Sequence, residues 1–352
     1  MKLSVGVVGA GFISQIRHLP VYKREELTKV QAIYDIDYIK AKKVAERHKI
    51  PNTYRSLEDM FDKESLDIVD ICSPASTHAK YAVEALKKGS NVIVEKPMAM
   101  DFQSAKEVYE IAKKTDRKFT VIQNYRFTRE YKIIKNFKDK FGKLYFLYCS
   151  YESPRIDFND QFNPQFKNGI LFETGIHDVD LARDLLGSVL KVKTLVNQKY
   201  GFQVQGLISM LEHKNGAISV LNLCFGGATF MHRITLHGSK IRATLDYELN
   251  LLKFERAMNK LSVKDNLNFI RREITESFNI IFNYYKNLIW PEKTLFGGLY
   301  PFKEIIHKFV LSIIEDSEPP ITLDESYENM RILEACQRSI ETGEVQKVED
   351  VN

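Results

Sequence analysis

The chain has 352 residues, 44% hydrophobic and 28% charged, with 51 Lys and Arg against 46 Asp and Glu for a formal charge of +5. That length favours two domains, and the balance excludes disorder, a collagen-like repeat and a disulfide scaffold. The charges are interspersed, so no segment reads as a nucleic-acid tail, and no run of 18 apolar residues suggests a membrane span.

Lys2–Val8 reads as a strand that runs into a glycine turn and a helix to about Glu26. The stretch from Leu3 to Ile16 is too rich in glycine for a signal peptide and lacks a small-residue cleavage site. Further strands are expected at Lys29–Tyr34, Leu66–Cys72, Asn91–Val94 and Phe119–Ile122. Helices near Ile39–His48, Ala75–Lys88 and Ser104–Lys114 separate them. Continuous β-branched runs joined by helices mean parallel strands buried on both faces. The expectation is an α/β protein whose residues 1–123 form a doubly wound parallel sheet, with its ligand outside the strand C-termini.

After a helix near Thr128–Phe141 the pattern becomes strand-rich. Strands are expected at Leu144–Tyr151, Val192–Gln198, Val204–Glu212, Ala217–Cys224, Arg233–His237 and Ile241–Asp246. Lys214-Asn215-Gly216 is a hairpin turn between two of them. Residues 124–352 should therefore form an α+β domain with a large, mostly antiparallel open sheet. A final helix, about 324–342, carries apolar Met330, Leu333 and Ile340 and should pack back on the N-terminal domain.

Residues 253–290 stand apart. Lys253, Arg256, Lys260, Lys264, Arg271 and Arg272 outnumber nearby acids, and a following helix would align Leu267, Ile270, Ile274, Ile281, Tyr285 and Leu288. Packing on its own domain or on a partner subunit is expected, with membrane-surface binding as the alternative. Cys72, Cys149, Cys224 and Cys336 lie 77, 75 and 112 residues apart. None pairs at metal-ligand or redox-motif spacing, so the expectation is reduced, mostly buried thiols in a cytoplasmic protein without a metal site.

Val5–Val8 leads directly into Gly9-Ala10-Gly11-Phe12-Ile13-Ser14. Gly9 permits a tight turn and Gly11 lets the backbone approach a pyrophosphate. The helix opening at Phe12 and Ile13 offers unpaired N–H groups and a positive dipole end. Ser14 replaces the usual third glycine with another small residue. The motif follows a strand and precedes a helix inside a βαβ unit, which is the context it requires. Asp35 closes the second strand, 21 residues beyond Ser14, where an acid binds the adenosine ribose hydroxyls and repels a 2′-phosphate. No arginine follows it, so NAD is expected over NADP. A cap on the next helix is the other reading of Asp35.

The fourth strand ends in Glu95-Lys96-Pro97, with Pro97 a candidate cis residue. A lysine at the C-terminal edge of a parallel strand points into the ligand cleft, although a surface Lys-Pro turn would look the same in isolation. The run from Gly169 to Asp180 begins a helix reaching Leu186. There Glu173 lies four residues before His177 and Asp180 three after it, so one helical turn brings them together. His177 stands beside Ile176 and Val179, and a packed structural histidine is the rival reading. Tyr125, Arg126 and Arg155 are candidates to line the substrate cleft.

Taken in order, GxGxx(S), Asp35, Ser73-Pro74 with His78, Glu95-Lys96-Pro97, and the G-x3-acid-x-G-x-H-x2-D run resemble the Gfo/Idh/MocA oxidoreductase family across nearly the whole chain. The resemblance implies an N-terminal Rossmann domain and a C-terminal α/β domain whose open sheet often forms the dimer face. It also implies NAD(P)-dependent hydride transfer at a sugar or cyclitol carbon. The family's active-site lysine falls on Lys96 and its catalytic histidine on His177. Its usual aspartate falls on Glu173, a departure that carries the carboxylate roughly 1 Å further out. Ser73, Pro74, His78 and Glu95 are expected around the cofactor with Lys96.

Such a set suits the chemistry. A secondary alcohol loses hydride only if its hydroxyl proton goes to a base, and a neutral imidazole serves near pH 7. A lysine donating to the same oxygen stabilises developing alkoxide charge, and Glu173 or Asp180 would hold the imidazole's tautomer. The expected protein is an NAD-dependent dehydrogenase or reductase of a sugar, nucleotide sugar or cyclitol, working as a homodimer or homotetramer. A glycosidase that retains NAD and oxidises its sugar transiently is one alternative. A non-catalytic NAD-binding regulator is another, against which the presence of both Lys96 and His177 argues.

Overall fold

Short apolar runs near the N-terminus build a parallel sheet in the computed structural model, which describes residues 2–154, 169–197, 206–256 and 298–351. The chain divides into two units, Met1–Phe127 with Pro301–Glu334, and Thr128–Tyr300 with Ala335–Asn352. Among the described residues of the first unit, six strands pair in parallel: β1 (Leu3–Val8), β2 (Thr28–Tyr34), β3 (Asn52–Tyr54), β4 (Ile68–Ile71), β5 (Asn91–Val94) and β6 (Phe119–Val121). Their order is β3-β2-β1-β4-β5-β6. Val5, Val7, Ile33, Ile68, Ile71, Val92 and Ile93 are fully buried, each such side chain contributing about 1.5–3 kcal/mol by burial. The order reverses between β1 and β4, so right-handed crossovers cover both faces. The ligand-binding switch point lies just beyond Val8 and Ile71.

The connecting helices are α2 (Tyr38–His48), α3 (Leu57–Lys63), α4 (His78–Lys87) and α5 (Phe102–Thr115). Asp37 accepts the Lys40 N–H at 3.1 Å and Asp101 the Ser104 N–H at 2.8 Å, capping α2 and α5. The helix after the glycine turn differs from expectation. It winds through a π turn at Ser14–His18, continues as α1 (Leu19–Tyr22), and stops short of Glu26. The Arg24 and Glu25 N–H groups turn to Val21 and Tyr22, tightening the chain to i→i+3 bonds that end the helix. The helix Tyr300–Ile314 from Pro301 onward and the first part of the C-terminal helix Leu323–Thr342 belong to the same unit. The Thr120 hydroxyl donates to the Ile321 carbonyl at 2.9 Å and ties the chain before that last helix to β6.

The described strands of the second unit form one sheet in the order β13-β12-β11-β7-β10-β9-β8-β14. They are β7 (Leu144–Ser153), β8 (Val189–Asn197), β9 (Gly206–His213), β10 (Ile218–Phe225), β11 (Met231–Gly238), β12 (Ile241–Asp246), β13 (Leu251–Arg256) and β14 (Gln346–Lys347). All neighbours are antiparallel except β7 and β10. Alternation is clean. Leu147, Cys149, Leu211, Leu221, Ile234 and Leu236 are buried, while Phe146, Tyr148, Ile208 and Met210 face outward and are exposed. Helix α6 (Arg129–Asn136) opens the unit from a Thr128 cap and gives way to a 3₁₀ turn at Lys138–Phe141. Helix α7 (Ile176–Leu186) follows a π turn at Leu171–Gly175, and a Cβ on Gly175 would lie 3.1 Å from Leu223 of β10.

The 253–290 stretch does not begin as a helix. Lys253 and Arg256 lie on β13 and pair with Thr244 and Ile241 of β12, since alternating Leu251–Arg256 suits a strand at the sheet's end. Residues 257–290 lie outside the described residues. All four cysteines are free thiols, and Cys72, Cys149 and Cys336 are buried. No helix among the described residues is long and apolar enough to cross a membrane.

Candidate active site

Gly9 leaves β1 at φ +104° and donates its N–H to the Tyr34 carbonyl at 2.7 Å. A Cβ there would sit 2.8 Å from the backbone of Cys72 and Ser73, so glycine alone joins β1 to β4 at this spacing. At Gly11 the nearest atom to an added Cβ is the Cys72 carbonyl oxygen, 4.0 Å away. The chain's own packing does not demand that glycine, and the space it leaves is the kind a phosphate group needs. Phe12 is 73% exposed and Ile13 half-buried. Ser14 is buried and donates to the Gly11 carbonyl at 2.9 Å, which holds the turn against the helix.

Asp35 is 9% exposed at the end of β2. Its carboxylate accepts the Ala10 N–H at 2.7 Å and the Asp37 N–H at 2.9 Å. The helix cap is Asp37, so Asp35 is tied to the glycine turn instead. Lys40 also reaches it, with Nζ 3.3 Å from the carboxylate. Sequence reasoning missed this cation because it looked only at the two residues after Asp35.

Beyond β4, Ser73 and Thr77 share a 2.7 Å hydroxyl hydrogen bond, and Pro74 opens a 3₁₀ turn. His78 is buried, with Nε2 2.8 Å from the Ser73 carbonyl and Nδ1 2.7 Å from the Pro97 carbonyl. It therefore spans the segments leaving β4 and β5. Burial holds its pKa below the usual histidine value, and the two carbonyls offset only part of that.

Past β5 the Lys96-Pro97 peptide is cis. The Glu95 carboxylate accepts the Lys96 N–H at 3.3 Å and faces His18 Nε2 at 2.9 Å. The other ring nitrogen, Nδ1, is 2.8 Å from Asp70 on β4. His18 and Asp70 have no solvent exposure. Carboxylates accept only, so an imidazole bonded to one at each nitrogen is an imidazolium. Burial opposes that charge, yet Asp70 first, then Cys72, hold the His18 pKa well above the ordinary value. The Cys72 thiol lies 3.5 Å from Asp70, and burial pushes its own pKa up, with Asp70 adding to the effect. Ligand-type atoms of His18, Asp70 and Cys72 lie within 4.8 Å of one another. A tetrahedral ion would hold nitrogen and oxygen ligands roughly 3.4 Å apart, so the 2.8 Å contact fits a shared proton.

The contacts of His18 could not be read from spacing, for its partners lie 52 and 77 residues away. One signal was present: Asp70 is an acid inside the apolar run Ile68–Ile71, and a buried acid in a central strand needs a partner.

Tyr125 is buried, and Arg126 donates to Glu325 of the C-terminal helix at 2.7 Å. Arg155 lies outside the described residues. In the second unit Glu173 falls in the π turn and is half-buried, His177 is 8% exposed and Asp180 1%. Its neighbour Asp178, which sequence reasoning passed over, accepts from His232 of β11 at 2.8 Å with both side chains fully buried. His232 stacks on Tyr247, centroids 4.8 Å apart. Burial raises the Cys149 pKa, with Asp178 adding to it. The helix that carries His177 is thus pinned to the sheet by the next residue along. A polar concavity lined by Asp62, Lys63, Glu64, Lys88 and Arg117 lies toward the N-terminal ends of β4 and β5, at the opposite edge from Gly9. It is no part of this site.

The chain is similar to several known proteins. An uncharacterized Saccharomyces cerevisiae protein is 30% identical over 205 residues, 56% of this chain and 59% of that one. The chain thus spans under two thirds of that relative. A myo-inositol 2-dehydrogenase of Thermotoga maritima is 25% identical over 257 residues, 69% of this chain and 75% of its own. A levoglucosan dehydrogenase solved with NADH and levoglucosan superposes with a TM-score of 0.81 over 99% of both chains. Its 18% identity speaks to the fold. Residues 3–123 match the NAD-binding Rossmann fold of one oxidoreductase family and residues 138–349 match its C-terminal alpha/beta domain, so the chain belongs to the GFO_IDH_MocA family.

Proposed function

We propose that the protein is an NAD-dependent dehydrogenase or reductase of a sugar, nucleotide sugar or cyclitol. The observation that carries the cofactor half is the Gly9–Ala10–Asp35 constellation, a turn only glycine permits with an acid bonded to its backbone. Gly9, Gly11 and the backbone at Phe12 and Ile13 would hold the pyrophosphate. Asp35 would take the ribose hydroxyls, and Ser73, Pro74 and the Glu95-Lys96 segment would flank the nicotinamide end. Bound NAD supplies the hydride acceptor. His177 then removes the hydroxyl proton, Lys96 donates to the same oxygen, and Glu173 or Asp180 orients the imidazole. Tyr125, Arg126 and Arg155 would contact the sugar, Arg126 while holding Glu325.

A second copy of the chain is the natural occupant of the sheet's outer face. Phe146, Tyr148, Val220, Met210, Ile208 and Leu195 line four adjacent strands, and cross-strand pairs such as Val220 with Tyr148 and Met210 make the patch continuous. An apolar area of this kind favours burial against protein. Sedimentation should give a dimer or tetramer that Tyr148→Glu with Ile208→Glu shifts toward monomer.

The function is tested by titrating purified protein with NADH and then screening sugars, cyclitols and nucleotide sugars for nicotinamide absorbance change. Reduction of NAD by at least one of these is expected. Tight NADH binding with no turnover on any would favour the regulator reading instead.

A further inference from the structure

We propose that His18 is a positioning residue for Lys96, fixing the Glu95-Lys96-Pro97 segment by clamping the Glu95 carboxylate against Asp70. The inference rests on Lys96 being an acting group, as proposed above. Lys96 lies between two residues that buried histidines hold. On one side the Glu95 carboxylate takes His18 Nε2–H at 2.9 Å and the Lys96 N–H at 3.3 Å. On the other, the Pro97 carbonyl lies 2.7 Å from His78 Nδ1. The two histidines reach different anchors, Asp70 within β4 and the Ser73 carbonyl beyond it. The lysine segment is thereby tied once to β4 and once to the turn that follows it.

His18 adds something that His78 does not. It ends the π turn of the helix that follows Gly11, so the same side chain joins the glycine turn's helix to the strand bearing Lys96. Its ring edge meets Phe302 at a centroid distance of 5.6 Å, leaving it little room to turn. Nothing in the dehydrogenase chemistry requires a buried Asp–His–Glu chain here. Two buried carboxylates are costly to desolvate, and the imidazolium between them offsets this. What the arrangement secures is geometry. A displacement of about 1 Å at a catalytic group can cost roughly 10²-fold in rate.

The test needs no known substrate. Reductive methylation with ¹³C-formaldehyde gives each lysine a resolved ¹H–¹³C signal, and Lys96 is assigned by its loss in Lys96→Arg. In the unmodified protein the Lys96 signal should be single and displaced from the surface-lysine cluster. In His18→Gln it should move toward that cluster, while NADH affinity changes less than about threefold. If His18→Gln does not fold, Glu95→Gln keeps the volume and removes the clamped charge, and should give the same shift. An unmoved Lys96 signal in whichever variant folds overturns the proposal. Once a substrate is found, kcat should fall about 10–100-fold with KM nearly constant. Failure of the underlying reading would show separately, as full hydride transfer by Lys96→Met.

Discussion

The Asp35 carboxylate and the Ala10 backbone N–H are joined by a 2.7 Å hydrogen bond that locks the end of β2 to the glycine turn. The same carboxylate holds Lys40 at 3.3 Å. Asp35 thus shapes the turn and pairs with a cation, and in the proposed cofactor site that cation would lie on the side of an adenosine 2′-phosphate. NAD should therefore bind more tightly than NADP in the unmodified protein. In Asp35→Ser the repulsion disappears and Lys40 is released, so NADP affinity should rise about tenfold or more, the scale of a charge-assisted hydrogen bond. Adding Lys40→Ala should reverse most of that gain. Fluorescence titration with both reduced cofactors measures it, and equal affinities in the unmodified protein would contradict the assignment.

Lys96→Met and His177→Ala should each lower single-turnover hydride transfer by about 10²–10⁴, the usual scale for acid–base groups. The proposed mechanism requires both to serve one substrate oxygen, so the double variant should lose far less than the product of the single losses. Glu173→Gln should cost less than either, because Asp180 is available to orient the ring. NAD binding should persist in all of them. Near-full activity in His177→Ala would make that residue a packed structural histidine.

Asp178 and His232 are fully buried and 2.8 Å apart. Removing His232 leaves the Asp178 carboxylate buried without that partner, and an uncompensated buried charge typically costs about 3–5 kcal/mol. His232→Leu should therefore lower the thermal midpoint clearly, whereas Asp178→Leu with His232→Leu should recover part of the loss. Calorimetry of the three variants decides this, and additive losses would mean the pair does not act as one.

The raised His18 pKa has a stability signature. A histidine that gains proton affinity on folding contributes stability fully present below its unfolded value, near 6.5. That contribution is lost as pH rises through the folded pKa. Melting followed from about pH 6 upward should show a midpoint that declines toward alkaline pH. His18→Gln should lower the whole curve and flatten its alkaline limb; an identical alkaline slope in both proteins would count against the imidazolium.

The sheet of the first unit was legible because its strands are continuous β-branched runs, and Asn91–Val94 was located to the residue. β3 and α3 were missed. Asn52-Thr53-Tyr54 is a half-buried edge strand with no apolar run to mark it. In the second unit the alternation from Leu144 onward carried the strands, and β13 escaped because basic Lys253 and Arg256 drew attention to charge. The glycine turn and Asp35 could be proposed from a local motif, and Lys96 and His177 only from the order of several motifs along the chain. The clamp on Glu95 and the Asp178–His232 pair could not, since their partners meet only after the strands are in register.

Two histidines, His18 and His177, sit at the end of a π turn or just past one. Such a turn amounts to one residue inserted into an α-helix, and each residue advances an α-helix by about 100°. Loss of Thr174 alone would be absorbed by closing the π turn to α geometry, so that α7 keeps its bearing on the sheet. A one-residue deletion at that turn is therefore a length change that this helix and its sheet can absorb with the Asp178–His232 contact kept.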